Sequence, residues 1–319
     1  MHIFRSLEEA RGQFGPCALT IGNFDGVHCA HQSLFAEVAQ LSRKHGWKPS
    51  VLTFDPHPTK IVAPGKAPRL LTTIEQRCRY MEQRGITQVL ILPFDASVAS
   101  LSAEDFVQTI LTDALQTKAI LVGEGFRFGH KQAGGTELLA RMGDGHGFIV
   151  RPVPAVEMRG SIISSSEIRR RILAGDVSKA ARMLGRFYSL EGKVVKGHGI
   201  GSAKTVPTLN LETPAEVLPA VGVYVTRTAC LDTSRRWPSV SNIGSRPTFG
   251  GEALTIETYL LDPLQGDPLT RIAVEFTHRI RDERRFEGPE ALKQQILRDV
   301  RAAQNWHRRT HSLLSRSAL

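Results

Sequence analysis

The feature that most constrains this chain is a change of pattern near residue 187. Before it, short apolar runs alternate with helical periodicity; after it, strand-like segments follow one another with only Gly- or Pro-containing turns between them. In the first part, 18–21, 50–54, 88–92, 119–122 and 148–152 read as strands. Between the first two, Leu34, Phe35, Val38 and Leu41 share one helical face that ends near Gly46. A further helix starts at Ser102, where Asp105 completes a capping box and Phe106 and Ile110 carry the apolar face onward. Strands separated by helices imply a parallel sheet covered on both sides, an α/β doubly wound domain. Helical stretches at 164–173 and 177–184 close this half. Then 190–196, 208–212, 222–231, 239–243, 254–261 and 272–279 read as strands, followed by a helix over 289–308 with Leu292, Ile296, Leu297 and Val300 on its apolar side. Six strands without intervening helices imply a six-stranded antiparallel β-barrel flanked by that C-terminal helix. The chain of 319 residues is long enough for two cores. The expected domains are 1–185 and 186–319, with the boundary at Gly185 and Arg186.

Composition narrows the classes. With 41% hydrophobic and 23% charged residues, the chain reads as packed rather than disordered. No run approaches the ~18 apolar residues of a membrane helix, and Arg5, Glu8 and Glu9 stand where a secretory leader would be apolar. These features predict a cytoplasmic protein with no membrane partner. Cys17, Cys29, Cys78 and Cys230 form no CxxC pair, which argues against a zinc site or disulfide framework. A net charge of +10 suits either nucleic acid or phosphorylated small molecules. No basic run is interleaved with aromatics, so nucleic acid is the weaker reading. Nothing in the sequence speaks to oligomeric state.

The sharpest local signal is 20–31, Thr-Ile-Gly-Asn-Phe-Asp-Gly-Val-His-Cys-Ala-His. It leaves the first strand and opens the first helix, the position where a doubly wound sheet binds phosphate. Gly22 and Gly26 allow close backbone approach, and Asn23, Phe24 and Asp25 lie between them. His28 and His31, three apart in the first helical turn, can face one ligand. Such a pair suits holding a polyphosphate and stabilising charge that grows at phosphorus during in-line displacement. Farther on, Ser164, Ser165 and Ser166 offer hydroxyls at a helix start, with Arg169 in the next turn, an arrangement fit to clamp an anion.

These segments resemble the bacterial FAD synthetases, a branch of the HxGH nucleotidyltransferases. The 20–31 stretch is similar to that family's GxFDGxHxGH signature, 52–58 (Leu-Thr-Phe-Asp-Pro-His-Pro) to its TFDPHP loop, 121–129 to its VGxDFxFG loop and 163–169 to its ISSTxIR motif. The resemblance implies an FMN adenylyltransferase in which His28, His31 and Arg169 act on ATP. Gly22, Asn23, Phe24, Asp25, Gly26, Ser164, Ser165 and Ser166 would bind that ATP, and Pro56, His57, Pro58, Phe126 and Phe128 the flavin.

The second half resembles riboflavin kinase. Pro207-Thr208-Leu209-Asn210 matches that family's PTxN motif, 242–249 its NIGxRPTF stretch and 256–262 its ExHLLD strand. The resemblance implies Mg²⁺ and ATP phosphates at Thr208 and Asn210, whose hydroxyl and amide oxygens are suitable hard ligands. Pro207 and the loop glycines Gly197, Gly199 and Gly201 would complete the ATP site. By the same resemblance Glu257, which shares a strand face with Tyr259 and Leu261, is the general base for the riboflavin 5′-hydroxyl. Together the two halves imply ATP-dependent conversion of riboflavin to FMN and of FMN to FAD, with ATP as co-substrate.

The chain departs from these patterns at Ala30 (Gly in HxGH), Gly125 (Asp or Asn), Tyr259 (His) and the 203–206 stretch ahead of PTxN. Two other readings remain open at this level. One is a riboflavin kinase whose N-terminal domain has become a binding module. The other is a non-enzymatic RNA-binding protein using a basic barrel.

Overall fold

The computed structural model describes residues 1–195, 208–233, 235–248 and 251–316, which form two compact units, Met1–Ser165 and Ser166–Leu319. In the first, β1 (His2–Phe4), β2 (Cys17–Ile21), β3 (Lys48–Asp55), β4 (Gln88–Pro93), β5 (Thr117–Gly123) and β6 (Ile149–Val153) form one sheet in the order β1-β4-β3-β2-β5-β6. Every pairing is parallel. Successive residues of these strands alternate between two cores. Leu19, Leu52, Leu90 and Ile120 enter one, and Ala18, Val51, Val89 and Leu121 the other. Burial on both faces is why these strands read as continuous apolar runs.

The helices end where their sequences say they must. Helix α1 (Cys29–His45) stops at Gly46, whose φ of 70° is a left-handed cap that glycine adopts without a Cβ penalty. Helix α2 (Ile74–Glu82) opens on a capping box in which the Thr73 hydroxyl accepts from Gln76 N and Gln76 Oε1 accepts from Thr73 N. Ser102 caps the next helical segment by accepting from Asp105 N at 2.9 Å, and the segment continues π-helically over Phe106–Ala114. Helix α3 (Thr136–His146) precedes β6.

The second unit opens with α4 (Ser165–Leu173), which starts on the last residue of the first, and α5 (Val177–Leu184). Then β7 (Tyr188–Val195), β8 (Leu209–Glu212), β9 (Gly222–Cys230), β10 (Arg236–Thr248), β11 (Gly251–Leu260) and β12 (Arg271–Arg281) close an antiparallel barrel in the order β7-β8-β11-β10-β9-β12. Its interior is partly polar. Thr226, Thr228, Ser239, Ser241 and Thr258 are fully buried and joined by hydroxyl hydrogen bonds of 2.8–2.9 Å across β9, β10 and β11. Buried hydroxyls need partners, and these find them only in one strand register.

Helix α6 (Pro289–Arg316) covers the outside of the barrel, packing Ala303 and Trp306 against Val223, Val225 and Val240. Its inner face differs from the expected one: Leu292 and Leu297 are each 41% exposed, while Gln295 and Asp299 are buried. The reason is electrostatic. Arg281 forks onto Asp299 with contacts of 2.7–3.1 Å, and Gln295 Nε2 donates to the same carboxylate at 2.7 Å. A carboxylate paired in this way can be buried, and apolar periodicity does not register it.

Candidate active sites

In the parallel sheet, β2 has β3 on one side and β5 on the other, so the strand order reverses at β2. The crevice beyond the carboxyl ends of these strands is where such sheets hold ligands. The segment 22–31 leaves β2 at that point, with Gly22 N donating to Leu52 O at 3.1 Å. His28 is the N-cap of α1 and is buried. The His28 and His31 rings stack with centroids 3.6 Å apart, and Phe24 meets His31 edge-on at 5.2 Å. The two imidazoles thus form one plate at a helix N-terminus, where amide donors and the helix dipole favour an anion. Ala30 lies between them in the first helical turn.

The turn carrying this plate is held in an uncommon backbone conformation. Phe24, Gly26 and Val27 have φ of 50°, 78° and 40°. For a β-branched residue such as Val27 this is a strained region, of the kind that persists only when its surroundings hold it there. Segment 71–77 supplies the hold. Asp25 accepts from Leu71 N and Thr72 N at 2.9–3.2 Å, Gly26 N donates to Thr72 Oγ1 at 3.0 Å, and Arg77 Nη1 donates to Asn23 O at 2.9 Å. Arg77, on α2, is only 2% exposed. Burial pulls its pKa down, and the Asp25 and Asp55 carboxylates oppose that shift. Sequence reasoning singled out none of Leu71, Thr72 and Arg77. The Thr73-x-x-Gln76 capping box was the available signal for α2, but not for the direction of the Arg77 side chain.

The loops after β3 and β5 end at the same edge of the sheet. Asp55–Pro56 is a cis peptide bond, and His57 caps the short helix Pro58–Val62, its Nδ1 accepting from Thr59 N at 3.3 Å. After β5, Phe126 and Phe128 stack at 5.8 Å; Phe128 is buried in the core and Phe126 only partly. Gly125 stands in open space, where an added Cβ would meet no atom within 4 Å.

The serine motif divides. Ser164 and Ser165 end the first unit, and the Ser165 hydroxyl donates to Asp25 O at 2.9 Å. Ser166 and Arg169 follow on α4 in the second unit. Between them, Glu167 is gripped by Arg170 and Arg171 at 2.6 Å each, which holds its carboxyl down at about 2.

In the barrel, pairing builds a second constellation. Glu257 on β11 lies in register with Asn210 on β8 and with Asn242 on β10, so three polar residues form one cross-strand row. Their neighbours Ile256 and Thr258 are buried inside the barrel, which puts Glu257 on the outer face with Tyr259. Beside the row is an open cleft of about 310 Å³ lined by Thr208, Leu209, Tyr259, Leu261 and Asp262 among others. Asn242, placed in this row by strand pairing, is a candidate that the NIGxRPTF stretch contained but did not distinguish. Gly244 leaves room for two polar side chains next to the row, because a Cβ there would lie 2.9 Å from Glu283 Oε1 and 3.1 Å from Asn242 Nδ2. Gly197, Gly199, Gly201 and Pro207 lie outside the described residues. Among the described residues no three His, Cys, Asp or Glu side chains gather as a metal cluster. All four cysteines are free thiols, with Cys29 the least buried.

Comparison with known proteins assigns both halves. A family profile described as FAD synthetase matches residues 11–167, and one described as riboflavin kinase matches 184–307. A bifunctional riboflavin kinase/FMN adenylyltransferase of Pseudomonas fluorescens is 36% identical over 95% of this chain and 97% of its own length. That of Escherichia coli K12 is 34% identical over 91% of this chain and 92% of its own. A crystal structure from Streptococcus pneumoniae described as a macrolide-efflux protein is similar with a TM-score of 0.85 and 28% identity, covering 95% of this chain and 98% of that one. Among the described residues no helix is long and apolar enough to cross a membrane. The chain therefore belongs to the bifunctional riboflavin kinase/FMN adenylyltransferase family, and it uses ATP first to phosphorylate riboflavin and then to adenylylate FMN to FAD.

Proposed function

We propose a division of labour in which the two reactions use separate residue sets, roughly within 1–185 and 186–319. For adenylyl transfer, an FMN phosphate oxygen attacks the α-phosphorus of ATP and pyrophosphate leaves. His28 and His31 stabilise the charge developing there, helped by the hydroxyls of Ser164 and Ser165. Gly22, Asn23, Phe24, Asp25 and Gly26 form the turn that approaches the nucleotide. The observation that carries this reading is the stacked histidine plate at the point where the strand order reverses. Pro56, His57, Pro58 and the accessible part of Phe126 would bound the flavin, with Phe128 supporting Phe126 from the core.

For the kinase reaction, the riboflavin 5′-hydroxyl attacks the γ-phosphorus and ADP leaves. Glu257 takes the hydroxyl proton, and its place on a barrel strand gives it a rigid mount. The carrying observation is the row Asn210–Glu257–Asn242 beside the cleft that Thr208 lines. Thr208 is exposed and Asn210 half-buried, so a hydroxyl and an amide oxygen are available at one end of β8. These fit Mg²⁺, which binds hard oxygen donors and keeps its remaining positions for phosphates and water. Bound there, Mg²⁺ would neutralise charge on the ATP phosphates. The scattered free thiols suit a cytoplasmic setting. Incubating the protein with riboflavin, ATP and Mg²⁺ and resolving FMN from FAD tests the pair of reactions. The same assay on FMN alone isolates the second.

A further inference from the structure

Among the fully buried side chains of the described residues, Arg77 is the largest and the only one with a permanent charge. Leaving such a group in a core is costly unless hydrogen bonds and countercharge compensate it. Compensation here is partial. Nη1 donates to Asn23 O at 2.9 Å, Asp25 and Asp55 oppose the burial penalty, and Nε has no hydrogen-bond partner among the described residues. A solvated surface arginine at this position would avoid the cost, so the gain must lie in what Arg77 holds.

What it holds is the main chain one residue ahead of the left-handed turn. The Asn23 carbonyl accepts from Arg77 Nη1 and, more weakly, from Thr53 Oγ1 at 3.4 Å. Immediately after it come Phe24, Gly26 and Val27 with positive φ, and then His28 as N-cap of α1. A turn of this kind relaxes toward ordinary backbone when its anchors are removed. Relaxation would rotate the His28–His31 plate away from its ligand. Asp25 and Thr72 anchor the middle of the turn, and Arg77 anchors its entry.

We propose that Arg77 is a positioning residue for adenylyl transfer, holding the Asn23 carbonyl so that the strained 24–27 turn presents His28 and His31 to the polyphosphate. This rests on the assignment of the adenylyl site to 22–31. In this role Arg77 acts on the main chain, as a donor to Asn23 rather than through its charge alone. A side chain that still donates to Asn23 therefore preserves function, and one that fills the space without donating does not.

The test uses the full-length protein with two substitutions, Arg77→Met and Arg77→Lys. For FAD formation from FMN, Arg77→Met is expected to lower kcat by about 10²-fold, the scale of a sub-ångström to ångström misplacement of catalytic groups, with a much smaller change in the KM for ATP. Arg77→Lys retains a donor and recovers most of the loss. FMN formation from riboflavin, measured in the same preparations, stays at the wild-type level and reports the amount of folded protein. A purely structural arginine would lower the melting temperature without changing kcat per folded molecule. A folded Arg77→Met protein with wild-type kcat overturns the proposal. If Arg77→Met does not fold, Arg77→Gln, whose shorter side chain withdraws the donor from the Asn23 carbonyl, takes its place; reduced kcat for FAD formation in folded protein then supports the proposal, and wild-type kcat overturns it. His28→Ala in the same assay separates the two claims: normal FAD formation in that variant would remove the site assignment itself, whereas its loss alongside normal Arg77 variants removes only the role of Arg77.

Discussion

The two units place their candidate reacting groups by opposite means. In the parallel sheet, the candidate groups sit on a turn beyond the strand ends, and the turn needs anchors from a distant segment, 71–77, to keep its left-handed residues in place. In the barrel, Asn210, Glu257 and Asn242 sit on the strands themselves, and register alone aligns them. The first arrangement gives close backbone approach to a polyphosphate and depends on tertiary anchors. The second gives rigidity and depends on pairing, which the buried hydroxyl chain from Thr228 to Thr258 helps to set. A loop site is therefore sensitive to changes underneath it, and a strand site to changes across it.

Substitutions can break this comparison on either side. The largest effect is expected at the barrel: Glu257→Gln keeps size and an acceptor oxygen but loses basicity, so FMN formation falls by ~10²–10⁴, the range for losing a general base. FAD formation from supplied FMN continues. On the loop side, His28→Ala or His31→Ala lowers FAD formation by ~10²–10³, the scale for one charge-stabilising donor, and leaves FMN formation intact. Either variant losing both reactions while remaining folded would erase the distinction between the units.

Smaller effects sharpen the contrast. Asp299→Ala leaves Arg281 without its partner beside the barrel, which destabilises by about 3 kcal/mol or more when a buried pair is broken. Chemical denaturation followed by the α6 tryptophan, Trp306, reads this loss; an unchanged midpoint would mean that the pair contributes nothing net. At the other extreme, Gly125→Asn meets no atom and shifts stability by no more than about 0.5 kcal/mol. Because related FAD synthetases carry Asp or Asn there, the variant is expected to lower the KM for FMN. A raised KM would show that this loop has adapted to glycine.

How much of this was legible in the sequence follows from the same contrast. The parallel strands announced themselves because both faces are buried, and the 20–31 motif did so because glycines and histidines at a strand-to-helix turn have few other uses. The barrel strands were legible from their turns. Arg77 was not, because a charged residue in a helix reads as solvent-facing until tertiary structure buries it. The row Asn210–Glu257–Asn242 was not either: its members are far apart in sequence, and only pairing unites them. The inner face of α6 was misread for a related reason, since Asp299 is buried by an ion pair with Arg281 and not by hydrophobicity.

The central claim is that the two chemistries belong to separate residue sets, and mixing two defective proteins tests it most directly. Glu257→Gln and His31→Ala are each supplied with riboflavin, ATP and Mg²⁺, alone and then together, and FAD is measured. Alone, the first protein lacks FMN to adenylylate and the second stops at FMN. Mixed, the His31→Ala protein releases FMN that the Glu257→Gln protein converts, so FAD is predicted from the mixture and from neither protein by itself. A mixture of folded proteins that makes no FAD would contradict the account.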